Sequence, residues 1–208
     1  MFARSSTIHA DPSMMASGIA HTRDTALPAM SHIDGFVGLS MMVDRDTPGR
    51  CIVTSAWRTE ELMYAGADRV TTIRDAAAKA FAARTVETWP WEVAVMHRAH
   101  HARPGTCMRA IWTRTAPARM DEAVELFKFD TLAKIEDLPG FCSASLLVSR
   151  KYSLAVATVG YDDPHALEAS REAGEALRNE ATAQTASDII DVSEFDLEIA
   201  HLHVPETV

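Results

Sequence analysis

The apolar and polar positions of the chain follow the same pattern twice, at a spacing of 104 to 105 residues. Gly35 recurs 105 residues later as Gly140, and each stands between a helix pattern and an apolar strand pattern, where glycine is typical of a helix C-terminus. The alternating apolar segment at residues 91–95 recurs 104 residues later at 195–199. The chain is therefore predicted to be a tandem duplication of one structural module.

Apolar residues at spacings of three and four predict a helix over about residues 117–137. The positions on its apolar face are Met120, Ala123, Val124, Phe127, Thr131, Ile135 and Leu138. The equivalent segment, from residue 12 to about residue 30, contains Gly18 and Pro28, which disfavour a helix. We expect the earlier helix to be irregular or broken near its end and the later one to be regular.

A second helix in each half is predicted from small apolar residues at helical spacing, which favours close packing on a sheet. These residues are Val70, Ile73, Ala77, Ala80 and Phe81 in the first half, and Leu167, Ser170, Gly174, Leu177 and Ala181 in the second. Strand patterns at residues 36–43 and 50–57 flank a turn rich in Asp, Pro and Gly, which predicts a hairpin. Each half thus has the order β-α-β-β-α-β, that of a ferredoxin-like module.

The predicted fold class is α+β, with the first ferredoxin-like module at residues 1–98, a linker at 99–105 and the second module at 106–208. Two helices on one face of a four-stranded antiparallel sheet leave the opposite face uncovered. The other repeat can cover that face, so we expect the modules to pack sheet against sheet as a barrel within one chain. An isolated half would expose its apolar sheet face, so we expect it to dimerise or aggregate.

Charge and cysteine content exclude several function classes. The net charge is −9 and no cluster of Lys and Arg provides the basic surface that nucleic acid requires, so nucleic acid is not an expected partner. No stretch of about 18 apolar residues occurs, so we expect a soluble, cytoplasmic protein without a membrane partner. Cys51, Cys107 and Cys142 have no C-x-x-C spacing, which predicts neither a disulfide framework nor a zinc site.

Two motifs carry a family resemblance. Gly35 and Gly140 are each followed by Phe at the start of the predicted second strand, and Trp57 lies in the segment Val-Thr-Ser-Ala-Trp-Arg-Thr-Glu-Glu. This pattern resembles the antibiotic-biosynthesis-monooxygenase-like (ABM-like) family of dimeric α+β barrels, which has an N-x-x-x-W-x-S-x-E motif. The resemblance implies a pocket between helices and sheet in which Trp57 and Tyr64 contact a small aromatic molecule. Val53 stands where the family has its asparagine.

Three further residues are candidates for the ligand site. Arg4 lies on the predicted first strand of the first half, and Trp112 and Arg114 lie on the first strand of the second half. An arginine there can present a cation to an acidic or enolate ligand, and surface ion pairing explains the same residues equally well.

The histidines are the residues whose chemistry suggests a metal. His97, His100 and His101 lie in or beside the predicted linker, without a carboxylate at ligand spacing, so a solvated linker is favoured over a metal site. His97 and His201 are 104 residues apart at the ends of equivalent strands, where hydrogen bonding at the rim is favoured over catalysis. No metal and no cofactor are expected.

Two function classes remain open. One is a cofactor-independent monooxygenase or related enzyme acting on a small aromatic or apolar metabolite, and the other is a non-catalytic binding or regulatory protein that has lost the catalytic polar groups. The counterpart of Trp57 in the second half is Tyr161, so we expect the ligand cavity in the first half, against Trp57, with the second half packed solid. Whether the whole chain forms a homodimer stays an open question.

Overall fold

A computed structural model of the chain describes residues 1–202. The chain forms two compact units, of which the first is Met1–Trp91 with the segment that begins at Leu197, and the second is Glu92–Asp196. Both divisions fall inside long strands, so that each of these strands contributes to both units. The predicted boundaries of the two modules stay a prediction, and residues 203–208 at the end of the second module lie outside the described residues.

The first unit contains three complete strands, the beginning of a fourth and four helices. The strands are β1 (Phe2–His9), β2 (Phe36–Asp44), β3 (Arg50–Trp57) and β4 (Thr85–Arg98). The helices are α1 (Met15–His21), α2 (Leu27–Ser31), α3 (Glu60–Ala65) and α4 (Ala67–Ala80).

The second unit repeats this order of elements. Its strands are β5 (Cys107–Arg114), β6 (Phe141–Ser149), β7 (Leu154–Tyr161) and β8 (Asp188–Leu202), with the end of β4. Its helices are α5 (Met120–Leu126), α6 (Leu132–Glu136), α7 (Pro164–Ala169) and α8 (Arg171–Thr185). The α+β class and the order of elements are confirmed, and residues 99–106 contain neither helix nor strand.

Strand pairing is antiparallel and equivalent in the two units. The strand order is β4-β1-β3-β2-β8 in the first unit and β8-β5-β7-β6-β4 in the second. Phe36 pairs with Trp57 and Phe141 pairs with Tyr161, and a bulge follows each phenylalanine. Each unit therefore takes one strand end from the other repeat: the end of β8 lies beside β2, and the end of β4 lies beside β6.

Local sequence explains where the helices begin and end. Asp11, Thr59 and Asp163 have extended backbones, and each side chain accepts a hydrogen bond from a backbone N–H of the first helical turn. Gly35 and Gly140 have φ of 83° and 64°, the left-handed conformation that glycine adopts without strain. These caps and glycines account for the correctly predicted helix ends.

The first helix of each repeat is interrupted by a π turn, at Thr22–Ala26 in one unit and Phe127–Thr131 in the other. The N–H of Leu27 donates to the carbonyl of Thr22, and the N–H of Leu132 donates to that of Phe127, so each bond spans five residues instead of four. The expected irregularity of the earlier helix is confirmed. The prediction of a regular helix over residues 117–137 is wrong, because the second π turn inserts an extra residue into that helix as well.

No helix within residues 1–202 is long and apolar enough to cross a membrane.

Candidate functional site

Each unit contains a cavity between its helices and its sheet. The cavity of the second unit has a volume of about 110 Å³, and that of the first unit about 60 Å³. An apolar cavity of about 150 Å³ is enough to admit a benzene-sized molecule, so the larger cavity is close to the size of a single aromatic ring. The two cavities occupy equivalent positions, because the same strands and helices of each repeat line them.

The larger cavity is lined mainly by apolar side chains. Those from strands include Ile111, Leu146 and Val159, and those from helices include Val124, Phe127 and Leu177. The hydroxyl groups of several threonines and of Tyr161 and two guanidinium groups, of Arg109 and Arg178, complete the lining. Such a surface accepts an apolar molecule and offers it a few polar contacts.

Small residues create this space. Ala157 and Gly174 line the larger cavity, whereas the equivalent residues of the first unit, Val53 and Val70, line the smaller one. The expectation that the second half is packed solid is therefore wrong. The large residues of the helix face are present, but residues across from them on β7 and α8 are too small to fill the gap.

Both π turns lie at the cavity walls. Thr22 and Ala26 line the cavity of the first unit, and Phe127 and Thr131 line that of the second. The extra residue of a π turn changes the direction of the side chains that follow it, and such turns are frequent at functional sites. Their presence at equivalent positions indicates that the helix geometry was retained in both repeats.

A buried ion pair lies at one side of the larger cavity. The Arg109 side chain is buried, and its Nε and Nη2 donate to Glu194 Oε1 at 3.1 and 2.9 Å. Its Nη1 also donates to Ser170 Oγ at 3.2 Å and to the Tyr161 hydroxyl at 3.4 Å, and Nη2 donates to the Leu167 carbonyl at 2.8 Å. Arg109 is therefore both neutralised and fully hydrogen-bonded.

Arg178, on α8, has a different environment. Its Nε is buried and has no hydrogen-bond partner, and its Nη2 lies 3.7 Å from Glu175 Oε1. A buried donor without a partner is uncommon in proteins, and because Arg178 lines the cavity, a bound polar atom could satisfy it.

The cavity of the first unit carries the equivalent arginines, Arg4 and Arg74, which lie 105 and 104 residues before Arg109 and Arg178. Arg4 is 9% exposed, and its guanidinium donates through Nη2 to the Met63 carbonyl at 3.4 Å, the one side-chain hydrogen bond of Arg4 within residues 1–202. Burial lowers the pKa of the Arg4 guanidinium, and the positive charge of Arg74 lowers that pKa further, while Tyr64 raises it. None of these three effects removes the positive charge of the Arg4 guanidinium.

Trp57 is placed in the core of the first unit. It is 0% exposed, contacts Phe36 edge to face with ring centroids 5.7 Å apart, and packs in a cluster with Met30 and Met63. Its Nε1 donates to Ser55 Oγ at 3.1 Å, and that hydroxyl donates to the Arg4 carbonyl at 3.3 Å. Trp57 itself does not line either cavity, although Ser55 does.

Of the other candidate ligand residues, the structure brings Tyr64 to Arg4. The Arg4 guanidinium carbon lies 5.7 Å from the centre of the Tyr64 ring, which is itself 52% exposed. Trp112 is half-buried with its ring 6.2 Å from that of Phe195, and Arg114 is exposed at the end of β5. Neither Trp112 nor Arg114 lines a cavity within residues 1–202.

The linker histidines take part in specific contacts. His97 Nε2 lies 3.0 Å from Glu136 Oε1, and its ring stacks on that of Phe141. His100 Nε2 lies 3.3 Å from Asp162 Oδ1. His100, Cys142 and Asp162 have donor atoms within 4.8 Å of one another, and in the part of the chain that the structure describes they are the group that could hold a metal ion.

Sequence reasoning did not find Arg74, Arg109 and Arg178. A usable signal was present, because the repeat spacing relates the residue pair Arg4 and Arg74 to the pair Arg109 and Arg178. Applying the spacing to charged residues, instead of to apolar and aromatic residues alone, would have selected them.

Two relatives from Mycobacterium tuberculosis (strain ATCC 25618 / H37Rv) are similar to the whole chain. "Uncharacterized protein Rv2557" is 43% identical over 208 residues, which is 100% of this chain and 92% of that protein. "Uncharacterized protein Rv2558" is 43% identical over 211 residues, covering 100% of this chain and 88% of that protein. No protein-family model matches the chain.

Solved structures share the fold at low sequence identity. A candidate monooxygenase from Lactobacillus acidophilus NCFM has a TM-score of 0.75 at 10% identity, over 100% of this chain and 98% of that one. A candidate monooxygenase from Fusobacterium nucleatum has a TM-score of 0.72 at 10% identity, over 97% and 93%. An anthrone oxidase-like protein has a TM-score of 0.67 at 13% identity, over 99% and 94%. The resemblance to ABM-like proteins is thus confirmed at the level of the fold.

Proposed function

The chain belongs to the same family as Rv2557 and Rv2558 of Mycobacterium tuberculosis, and on that premise we propose that it binds a small aromatic or other apolar metabolite in the cavity of its second unit. The observation that carries this proposal is the cavity itself, about 110 Å³ in volume and lined mainly by apolar side chains. Its volume is close to that needed for a single aromatic ring.

The reaction that we propose is oxygenation of the bound metabolite without a metal or flavin. The solved structures described as candidate monooxygenases and as an anthrone oxidase-like protein support this choice, since they share the fold. Oxidation of an anthrone-type CH₂ group to a carbonyl consumes one O₂ and releases one H₂O, with the substrate supplying the electrons. The substrate must first lose a proton, because its anion is the electron-rich species that reacts with oxygen.

The cavity offers a cation to such an anion. Arg178 lines the cavity and its buried Nε has no hydrogen-bond partner among the described residues, whereas the charge of Arg109 is already paired with Glu194. A fixed positive charge in an apolar cavity lowers the pKa of a bound enol or phenol. The chain would thus act by stabilising the substrate anion.

A second candidate function is non-catalytic binding, and one observation favours it. Among the described residues that line the larger cavity there is no Asp, Glu, His or Cys that could take the proton from the substrate. General-base catalysis usually depends on such a side chain within hydrogen-bond reach. A binding protein would need only the apolar surface and its few polar contacts.

One pair of variants tests binding and a second measurement separates the two functions. Ala157→Leu fills the larger cavity, and we expect it to weaken toluene binding by tenfold or more in calorimetric titration. The matched control is Val53→Leu, at the equivalent position of the first unit, which should leave toluene binding unchanged. Equal affinities of the wild-type chain and Ala157→Leu would contradict the proposed site.

Oxygen uptake then decides between enzyme and binding protein. The probe is 1,3-cyclohexanedione, a one-ring compound with an acidic CH₂ group, and its uptake of oxygen is followed with an electrode in the presence of a metal chelator. Uptake that the wild-type chain accelerates and that Ala157→Leu abolishes supports the oxygenase. Toluene binding without any acceleration of uptake supports the non-catalytic function.

A further inference from the structure

The charge balance of the two cavities differs, although the repeat places an arginine at the same position in each. Arg4 on β1 and Arg109 on β5 are 105 residues apart, and both guanidinium groups line a cavity. Arg109 pairs with Glu194, which lies directly opposite it on β8. None of the carboxylates within residues 1–202 forms an ion pair with Arg4.

Three residues whose side chains contact Arg109 have different residue types at the equivalent positions of the first unit. The position equivalent to Glu194 is Pro90, that of Ser170 is Gly66, and that of Tyr161 is Trp57, each at a spacing of 104. Proline and glycine have no polar side chain, and the Trp57 N–H is directed to Ser55 instead. The network that neutralises Arg109 is thus absent around Arg4.

A buried arginine without a counter-ion is unfavourable, because burial removes water from the charge and no partner replaces that water. A second cation makes this worse, because Arg74 lines the same cavity and its nearest carboxylate is that of the exposed Asp75, at 3.8 Å. An anion in the cavity would compensate both charges. The remaining wall is apolar, with Ile8, Leu39 and Ile73 among its residues.

We propose that the cavity of the first unit is a separate anion site, which binds a small apolar carboxylate with its carboxylate on Arg4 and its hydrocarbon part against Ile8, Leu39 and Ile73. The volume of about 60 Å³ limits the buried part of the ligand to a few carbon atoms. The carboxylate provides the acceptor oxygens that Glu194 provides in the second unit. Tyr64, over the Arg4 guanidinium, is placed to close one side.

The experiment uses the full chain and propionate as the probe, because its two-carbon hydrocarbon part suits a cavity of about 60 Å³. Propionamide is its uncharged analogue. We expect propionate to bind at least tenfold more tightly than propionamide in calorimetric titration, and Arg4→Met to abolish this preference. Arg69→Met, which removes an exposed arginine of α4, is the matched control and should bind propionate as the wild-type chain does. Equal binding of propionate and propionamide, or no propionate binding at millimolar concentration, overturns the proposal.

Two further measurements keep the test independent of folding and of the second cavity. Pro90→Glu supplies the missing carboxylate, and it should raise the urea midpoint of the free protein while weakening propionate binding at least tenfold. Arg4→Met should leave the urea midpoint unchanged or raised, whereas a lowered midpoint together with retained propionate binding overturns the proposal. Propionate affinity that Ala157→Leu does not change shows that this site is distinct from the one proposed for the second unit.

Discussion

Among individual residues, the buried pair of Arg109 and Glu194 is the clearest case of one side chain depending on another. Both side chains are almost fully buried, and Glu194 also bonds to Arg171 through its second oxygen at 3.2 Å. Removing one member leaves the other charge buried with incomplete compensation, whereas replacing both leaves no charge to compensate. We therefore expect the stability of the second unit to depend on whether both side chains of the pair are present together.

We predict that Arg109→Met lowers the free energy of unfolding by about 3 to 5 kcal/mol, and that the double variant Arg109→Met, Glu194→Leu recovers part of this loss. Urea denaturation at pH 7 measures both. The exposed variant Arg23→Met, which breaks a surface pair with Asp24, is the control and should leave the value nearly unchanged. A double variant that is no more stable than Arg109→Met alone would contradict the prediction.

Cys51 gives a pH prediction. Burial raises the pKa of its thiol from 9.0 to about 12, so the folded state holds the proton more tightly than the unfolded state. The thiol therefore stabilises the fold fully below pH 9, and this contribution is lost as the pH rises from about 9 towards 12. We expect the stability difference between the wild-type chain and Cys51→Ala to shrink between pH 8 and pH 10.5 in urea titrations. A constant difference over this range would show that the thiol ionises equally in both states.

Individual side chains also mark the limit of what the sequence could predict. Trp57 was correctly placed at the end of β3, but the direction of its ring depends on the packing of Met30 and Met63, which are distant in sequence. Arg4 could be placed on β1, whereas its lack of a carboxylate depends on which residue stands opposite on another strand. Pairing across strands follows from the register, and apolar periodicity alone does not determine it for a buried charge.

For helices and strands, the sequence pattern predicted their existence and order but not the π turns. Apolar residues at Phe127, Thr131 and Ile135 are four residues apart, which suits a regular helix as well as an interrupted one. The interrupted helix differs from a regular one in one backbone hydrogen bond, which the N–H of Leu132 donates to the carbonyl of Phe127. No residue type specifies that bond, so it follows from the packing of the helix on the sheet.

The π turn of the second unit can be removed by deleting its most exposed residue, Phe129, which is 75% exposed. The deletion restores four-residue hydrogen bonding and rotates the preceding helix by about 100° relative to the following one. We predict that the chain still folds, by circular dichroism, and that toluene binding weakens at least tenfold because the side chain of Phe127 or Thr131 leaves the cavity wall. Substituting Phe129 by Ala, without shortening the chain, is the control and should retain binding. A deletion variant that binds toluene normally would show that toluene binding in the cavity does not depend on the π turn.

Across the whole molecule, the repeat revealed the duplication but not the assignment of strand ends to units. Residues 92–98 pair with β6 in the second unit, and residues 197–202 belong to the first. The predicted division at the linker would therefore separate β6 from its partner. A spacing of 104 residues shows which elements are equivalent and cannot show which copy each element joins.

The fragment of residues 106–208 is predicted not to be a folded monomer. It lacks the end of β4, so the edge of β6 loses its hydrogen-bonding partner and becomes available to other chains. Sedimentation should show dimers or aggregates, and circular dichroism should show an incomplete sheet. The full chain under the same conditions is the control, and a well-folded monomeric fragment would contradict the prediction.

Because the first unit includes the end of β8, it can be completed only after most of the chain has been synthesised. The ribosome completes residues 1–91 early, but the part of β8 that belongs to the first unit and borders β2 begins at Leu197 and emerges about 105 residues later. At about 5 to 20 residues per second this is a delay of roughly 5 to 20 s, during which β2 has no neighbour on one side. A nascent chain stalled near residue 190 should therefore be cut by protease within the first unit, while the released chain is protected. During those seconds the nascent protein has an unpaired sheet edge. Chaperones can bind to such an edge, and neighbouring nascent chains can aggregate through it.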